Sequence, residues 1–237
     1  MHTIGSKNIQ SLFDSIARRY DWFNSIATAG MDRKWRKEAV RLAAPSLMEN
    51  SLDAATGTGR LAVELASVSN NVSAIDFSSA MIKEAVEYVE KQGLTRNITI
   101  LQSDVLNLPF RSESFNCATI GFGLRNLPNI QRGLEELYRV LKPNSYLVIL
   151  DIVRPKGFAK KIIYKIFFQK ILPYIGWFLS GKRQPYQYLP NSVESYLSPR
   201  ELSALMESTG FRQVHYSLRA IGSIALHVGL KNPEKLQ

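Results

Sequence analysis

The 237-residue chain, 45% hydrophobic with 14 glycines and 10 prolines, has room for one well-cored α/β domain with an appendage, and a single domain over 1–237 is expected. Its one cysteine, Cys117, excludes an internal disulfide and a cysteine metal cluster and suits a reducing cytoplasm; His2, His215 and His227 are too scattered to suggest a metal site, so no metal is expected. The net charge of +10 is concentrated, because the thirty residues 154–183 hold eight basic side chains and no acidic one, and the rest is nearly neutral.

In chain order, Ile9, Leu12, Phe13, Ile16 and Ala17 recur at helical spacing, and Asp32 is placed to cap a second helix running to residue 44, before Pro45. Together they predict an amino-terminal helical flap over about 9–45. The first thirty residues lack an apolar run followed by a small-residue cleavage site and carry Asp14 and Asp21, so no secretory signal is expected. Short apolar strands then alternate with helices: a strand ending at Ala54, helix 60–68, strand 72–75, helix 79–92 and strand 98–101. Strand 116–121, helix 130–141, a turn at Lys142-Pro143-Asn144 and strand 146–150 follow. Such alternation predicts a parallel sheet wound by helices. A basic apolar insertion over about 154–190 interrupts it, after which helix 199–208, stopped by Gly210, leads into a hairpin-like pair of strands at 213–218 and 224–230. His227 lies on the last strand and reads as a strand residue with a hydrogen-bond partner rather than a catalyst.

Three of these strands end in a carboxylate. The segment Leu52-Asp53-Ala54-Ala55-Thr56-Gly57-Thr58-Gly59 closes the first strand in an acid and a glycine turn, Asp76 ends the next, and Asp104 follows the third. Gly57 and Gly59 allow a sharp turn close to a ligand, at the start of a helix with free amide groups. The run 57–62 also fits a G-x-G-x-x-A dinucleotide fingerprint, with Asp76 at roughly the spacing of a ribose-binding acid. Asp53 discriminates, because a carboxylate four residues before the first glycine repels a pyrophosphate but suits the ammonium and sulfonium of S-adenosylmethionine. On this reading Asp76 accepts from both ribose hydroxyls, while Asp104 and the amide of Val105 read the adenine edge. The plainer alternative, solvated loop carboxylates, weakens when three acids fall on consecutive strand ends.

The basic stretch 154–183 is also rich in Ile, Phe, Tyr and Leu, yet its lysines, Pro173 and Gly176 break it below the ~18 apolar residues of a spanning helix. It reads as an element lying on a membrane surface, with Lys160, Lys161, Lys165 and Lys170 reaching anionic head groups and Trp177 at the interface. The alternative is a helix that covers the sheet and presents a solvated basic face.

These residues resemble the UbiE/COQ5 C-methyltransferases, which methylate the ring of menaquinone and ubiquinone precursors, across nearly the whole chain. The likeness rests on Phe13-Asp14-Ser15-Ile16-Ala17-Arg18-Arg19-Tyr20-Asp21 with the Gly-x-x-Arg-x-Trp-Arg pattern at 30–36, and on Leu108-Pro109-Phe110 leading to Thr119-Ile120-Gly121-Phe122-Gly123-Leu124-Arg125-Asn126. Tyr138-Arg139-Val140-Leu141-Lys142-Pro143 and the closing Ala225-Leu226-His227-x-Gly229-x-Lys231 are also shared. The resemblance implies a class I S-adenosylmethionine-dependent methyltransferase fold, Rossmann-like, with a seven-stranded mostly parallel sheet and an antiparallel last strand. It implies cofactor roles for Thr58, Asp76, Asp104 and Val105, beside Gly57, and it places Arg125, Asn126 and Tyr20 near the reacting ring. The chain departs from the family where Ala55-Thr56 replaces a glycine-rich pair, Gly121 stands where some members have serine, and Asn144 replaces a frequent glycine.

The implied acceptor is a polyprenylated quinol, demethylmenaquinol foremost because Thr119-Ile120-Gly121 resembles the menaquinone-only members, with 2-methoxy-6-polyprenyl-1,4-benzoquinol as the alternative. Arg125 is expected to favour the reactive phenolate, Asn126 to orient the second oxygen or a water, and Tyr20 to hold the ring. The expected location is cytoplasmic, at the inner face of the membrane. A nucleic-acid methyltransferase is disfavoured, because residues 121–126 carry no Asp/Asn-Pro-Pro-aromatic motif and the charge forms no phosphate track, so no nucleic-acid partner is expected. Two further alternatives are a silent membrane-binding module, which would bind the cofactor weakly if at all, and an NAD-dependent reductase. The oligomeric state is not legible, which leaves a homodimer open.

Overall fold

A computed structural model describes residues 14–15, 17, 20–22, 24–26, 28–44, 47–157 and 192–232. The predicted insertion lies outside the described residues from 158 onward, as does the flap before residue 14. The described residues from 14 to 26 are helical. After them come α1 (Met31–Ala43), β1 (Met48–Ala54), α2 (Arg60–Leu65), β2 (Ser69–Asp76), α3 (Ser79–Lys91), β3 (Ile98–Gln102) and β4 (Phe115–Gly121). A short 3-10 turn (Leu124–Asn126), α4 (Ile130–Val140), β5 (Leu141–Ile152), α5 (Pro199–Thr209), β6 (Phe211–Arg219), a second 3-10 turn (Ala220–Gly222) and β7 (Ile224–Lys231) follow.

The seven strands form one sheet in the order β3-β2-β1-β4-β5-β7-β6, parallel through β5, with β7 running antiparallel to both of its neighbours. The central strands are apolar on both faces because helices cover both, as in other parallel sheets. Ala118, Ile120, Leu147 and Ile149 pack toward Leu134 and Leu137 of α4 and Leu202 and Met206 of α5. Their strand neighbours Cys117, Val148 and Leu150 point the other way, toward Trp35 and Ala39 of α1 and Leu61 and Leu65 of α2. His227 is buried on β7 and donates from Nε2 to the Pro199 carbonyl at 2.9 Å, while burial lowers its pKa.

Two sequence expectations are corrected locally. The cap of α1 is Gly30, at φ +74°; Asp32 lies inside the first turn, where it accepts from Thr28 Oγ1 at 3.0 Å and pairs with Arg36 Nη1 at 2.7 Å. The carboxylate is drawn to the guanidinium one turn on, so it is not available for the amides behind it. The Lys142-Pro143-Asn144 turn is absorbed into β5 as an irregularity, with Phe115 opposite Leu141 but Cys117 opposite Tyr146, and Asn144 takes φ +60°. Two of the shared motifs meet in space. Arg139 donates to the carbonyls of Leu108 and Phe110 at 3.0 and 2.7 Å, and the buried Glu136 accepts from Leu108 N at 2.9 Å, so α4 fixes the loop that follows β3.

Candidate active site

Strand order reverses between β1 and β4, and the crevice at their carboxyl ends is where open α/β sheets take ligands. The chain leaves β1 in a tight turn closed by Thr56 N to Ile75 O at 2.8 Å and Gly59 N to Thr56 O at 3.0 Å. Gly59, at φ +79°, needs both glycine properties: a left-handed backbone, and no Cβ to press on Ala85 Cβ at 3.3 Å. Gly57 N donates to Asp76 Oδ2 at 2.8 Å and Ser78 N to Oδ1 at 2.9 Å, so the turn and Asp76 form one unit. Burial pushes the Asp76 carboxyl up while these amides oppose the shift. The Phe77 backbone supplies a further hydrogen bond that lowers it as well, and the acceptor capacity left on the carboxylate is what a ribose hydroxyl would use.

Asp53 is fully buried on the floor of the crevice, accepting from Thr56 Oγ1 at 2.6 Å and Thr119 Oγ1 at 2.8 Å. Burial pushes its pKa up to about 6, against the two hydroxyls and the charge of Arg36. A buried carboxylate held only by hydroxyls suits a cationic ligand and disfavours a pyrophosphate. Asp104 accepts from Leu106 N at 2.9 Å, and Val105 behind it is buried. Gly57, Thr58, Asp76, Asp104 and Val105 all line one cleft with Asp53, of about 1060 Å³ including its open mouth.

The flap contributes to the same cleft. Asp21 accepts from Thr58 Oγ1 at 2.6 Å and Arg60 Nε at 2.8 Å, and Asp14 accepts from the hydroxyl of Ser78, the residue that caps α3. Tyr20 lines the cleft; burial pushes its phenol up, opposed by the charge of Arg125 and a hydrogen bond with Asn24. Asn126 also lines it and donates to the Phe122 carbonyl at 3.2 Å. Arg125, expected at the reacting ring, is not among the lining residues of this cleft. Its side chain is 4% exposed and pairs with Asp151 at 2.5 Å, with a second bond to the Phe122 carbonyl at 2.6 Å, while its backbone amide donates to Asp151 at 3.1 Å. Tyr196 is buried beside this pair, and burial raises its phenol well above the ordinary range, with the Asp151 charge adding to the shift.

Sequence reasoning missed Arg36, Asp14, Asp21 and Asp151. The seven-residue spacing of Asp14 and Asp21, two helical turns, was a readable signal for a shared face. Asp151 carried none, lying twenty-six residues from the arginine it holds.

The profile of the ubiE/COQ5 methyltransferase family matches residues 1–231. The chain belongs to the ubiE/COQ5 methyltransferase family. Within it, a demethylmenaquinone methyltransferase of Porphyromonas gingivalis is 39% identical over 230 residues, covering 95% of this chain and 94% of that one. The ubiquinone/menaquinone biosynthesis C-methyltransferase UbiE of Geotalea daltonii is 36% identical over 228 residues, covering 95% and 97%. Among solved structures, a SAM-dependent methyltransferase of Thermotoga maritima matches in fold with TM-score 0.66 at 20% identity, over 94% of this chain and 99% of that one. This ubiE/COQ5 member is thus an S-adenosylmethionine-dependent methyltransferase of class I fold, and the carboxylate-lined cleft fits that cationic donor. Among the described residues no cluster of His, Cys, Asp and Glu is arranged to hold a metal, and no helix is long and apolar enough to cross a membrane.

Proposed function

We propose that the enzyme methylates a ring carbon of a polyprenylated quinol, demethylmenaquinol, in menaquinone formation, and that it meets this substrate at an anionic membrane surface through residues 154–183. The observation that carries the reading is one cleft that holds the three strand-end carboxylates and also Tyr20 and Asn126, the residues assigned to the ring by family resemblance. The names of the two relatives favour the acceptor and a C-methyl product.

S-adenosylmethionine supplies an activated methyl group on sulfonium. With that donor held by Gly57, Thr58, Asp76, Asp104 and Val105, the reduced ring would be the nucleophile, because its phenolic oxygens push electron density onto the carbon that takes the methyl group; a thioether would be the leaving group, and the ring carbon would then give up its proton. Tyr20 hydrogen-bonds a ring oxygen and excludes water, and Asn126 orients the second oxygen or the water that takes the proton. Arg125 acts as a positioning residue. Its charge is compensated by Asp151, so its contribution is to fix the Leu124–Asn126 turn through Phe122 and so aim Asn126. Holding sulfur, methyl and carbon in line supplies much of the acceleration.

The test is transfer of labelled methyl to liposome-borne demethylmenaquinol, kept reduced, beside the matching methoxy-benzoquinol, with products identified by mass. Methylation of the naphthoquinol alone is expected. Methylation of the benzoquinol alone would replace the proposed acceptor, and transfer to both would broaden it. Transfer to neither, with cofactor bound, would overturn the reading.

A further inference from the structure

The turn between β6 and β7 holds an apolar side chain in solvent on a backbone that disfavours it. Ala220, Ile221 and Gly222 have successive positive φ angles of +49°, +58° and +92°. Glycine takes that conformation freely, whereas for a β-branched residue it is an outlier. Ile221 nevertheless fills the middle position, is 63% exposed and belongs to neither core cluster. Leu218 is exposed beside it: a Cβ added at Gly222 would lie 4.0 Å from Leu218 Cδ1 and 3.8 Å from Pro155 Cβ. Strain of this kind, kept where packing does not demand it, points to a use for the side chain.

The turn is anchored on two sides. Val153 N donates to the Ser223 carbonyl at 2.8 Å, which seats the turn at the carboxyl end of β5, and Arg219 Nε donates to Glu38 Oε2 of α1 at 3.1 Å. It therefore stands at the same end of the sheet as the cleft. The flap, whose Tyr20 lines that cleft, exposes Trp22 and Ile26 four residues apart. Arg154 and Lys156, the first cations of the basic stretch, are exposed on either side of Pro155. An apolar tip next to cations matches an anionic bilayer, whose head groups take the charges and whose acyl boundary takes the tip. We infer that Ile221, with Leu218, enters the lipid surface as an apolar anchor, which turns the cleft-bearing end of the sheet toward the membrane. A protein partner or a second copy would also cover the tip, but the eight basic side chains that begin at Arg154 favour lipid. The inference rests on the membrane reading of residues 154–183 and adds a contact outside them that charge does not supply.

Sedimentation of the full-length protein with vesicles of phosphatidylcholine and phosphatidylglycerol in equal parts tests this. Ile221→Asn suits the left-handed backbone but removes the apolar tip, and Ile221→Leu keeps the tip. Partitioning of Ile221→Asn should fall roughly tenfold, the scale of burying one aliphatic side chain, and that of Ile221→Leu should stay within about threefold of the wild type. The loss should keep its size as salt is raised, because apolar burial is not screened. The melting temperature of Ile221→Asn should hold or rise, since the strain is relieved. Unchanged partitioning of Ile221→Asn on vesicles that bind the wild type would overturn the inference, as would a loss that disappears at high salt. A loss accompanied by a lower melting temperature marks a structural residue, and a fall in the oligomeric mass of the lipid-free variant marks a protein interface; either would overturn it too. Failure of the wild type to sediment with these vesicles at low salt would instead overturn the membrane reading beneath it.

Discussion

At the scale of single residues, the most consequential choice is a carboxylate in a place that penalises charge. Asp53 has its pKa pushed up to about 6 by burial, above the unfolded value, so the folded state binds that proton more tightly than the unfolded chain. Its contribution to stability is therefore present in acid and is lost as pH rises through about 6, a loss of ~3 kcal/mol by neutral pH. Asp53→Asn should recover much of this at pH 7 and little at pH 4, as denaturant melts at the two values would reveal. If Asp53 faces the donor's ammonium, as its place on the cleft floor suggests, the same change should weaken S-adenosylmethionine binding, because the cation favours the ionised form. Wild-type affinity should accordingly fall about tenfold between pH 7 and pH 5. A flat profile in calorimetry would contradict the assignment of Asp53 to the ammonium. A second residue-scale test concerns the departure at Ala55, which sits at φ +50° and whose Cβ lies 2.6 Å from where a Cβ on Gly123 would be. Gly123→Ala should cost ~1–3 kcal/mol by overpacking, and Ala55→Gly in the same chain should restore most of it, because the next contact, Ile120 Cγ1, is 3.4 Å away. Additive losses in the double-mutant cycle would refute that account.

At the scale of elements, the flap and the two loops of the cofactor cleft behave as one assembly. Asp14 holds the cap of α3 and Asp21 holds the turn before α2, both from one face of the flap. Asp21→Asn removes the pairing with Arg60, which is 38% exposed and so worth under ~1 kcal/mol to the fold. Its larger effect should fall on the cleft: faster hydrogen exchange in residues 14–26 and a severalfold weaker hold on S-adenosylmethionine, with a melting temperature changed by only a few degrees. Unchanged exchange would mean the flap is held by other contacts. The contrast also explains what the sequence revealed. The glycine turn, Asp76 and the strand ends were legible because they are backbone features fixed within a few residues. The place of Arg36 in the cleft was not, although the Gly-x-x-Arg-x-Trp-Arg pattern ends on it, because an Asp32–Arg36 spacing of four looks the same on a solvated helix as in a buried site. Asp151 was hidden for a different reason, since only the pairing of β4 with β5 brings it to Arg125. The cap of α1 was misread because Gly30 supplies a left-handed entry that no side chain advertises.

At the scale of the whole molecule, the charge is as unevenly placed as the chemistry. The cleft sets three carboxylates, Asp53, Asp76 and Asp104, against two arginines, Arg36 and Arg60, whereas residues 154–183 contribute +8 of the chain's +10, so anionic surfaces are attracted to one stretch of the sequence. That separation suits the proposed reaction, in which a cationic, water-soluble donor meets an acceptor that carries a polyprenyl tail. Near an anionic lipid surface each lysine contributes about 1 kcal/mol, and the attraction decays over a Debye length of roughly 8 Å at physiological salt. Replacing Lys160, Lys161, Lys165 and Lys170 by glutamine should therefore cut sedimentation with anionic liposomes by roughly two to three orders of magnitude at low ionic strength. The loss should shrink as salt is raised, and neutral liposomes should show little difference. Calorimetric affinity for S-adenosylmethionine should stay within twofold, because the residues assigned to the donor, Gly57, Thr58, Asp76, Asp104 and Val105, all lie outside this stretch of the sequence. Methyl transfer to a detergent-dispersed quinol should then survive while transfer to the liposome-borne quinol falls. If all four lysines can be neutralised with no change in sedimentation at low salt, the stretch is a solvated basic face, and the quinol must reach the cleft by another route.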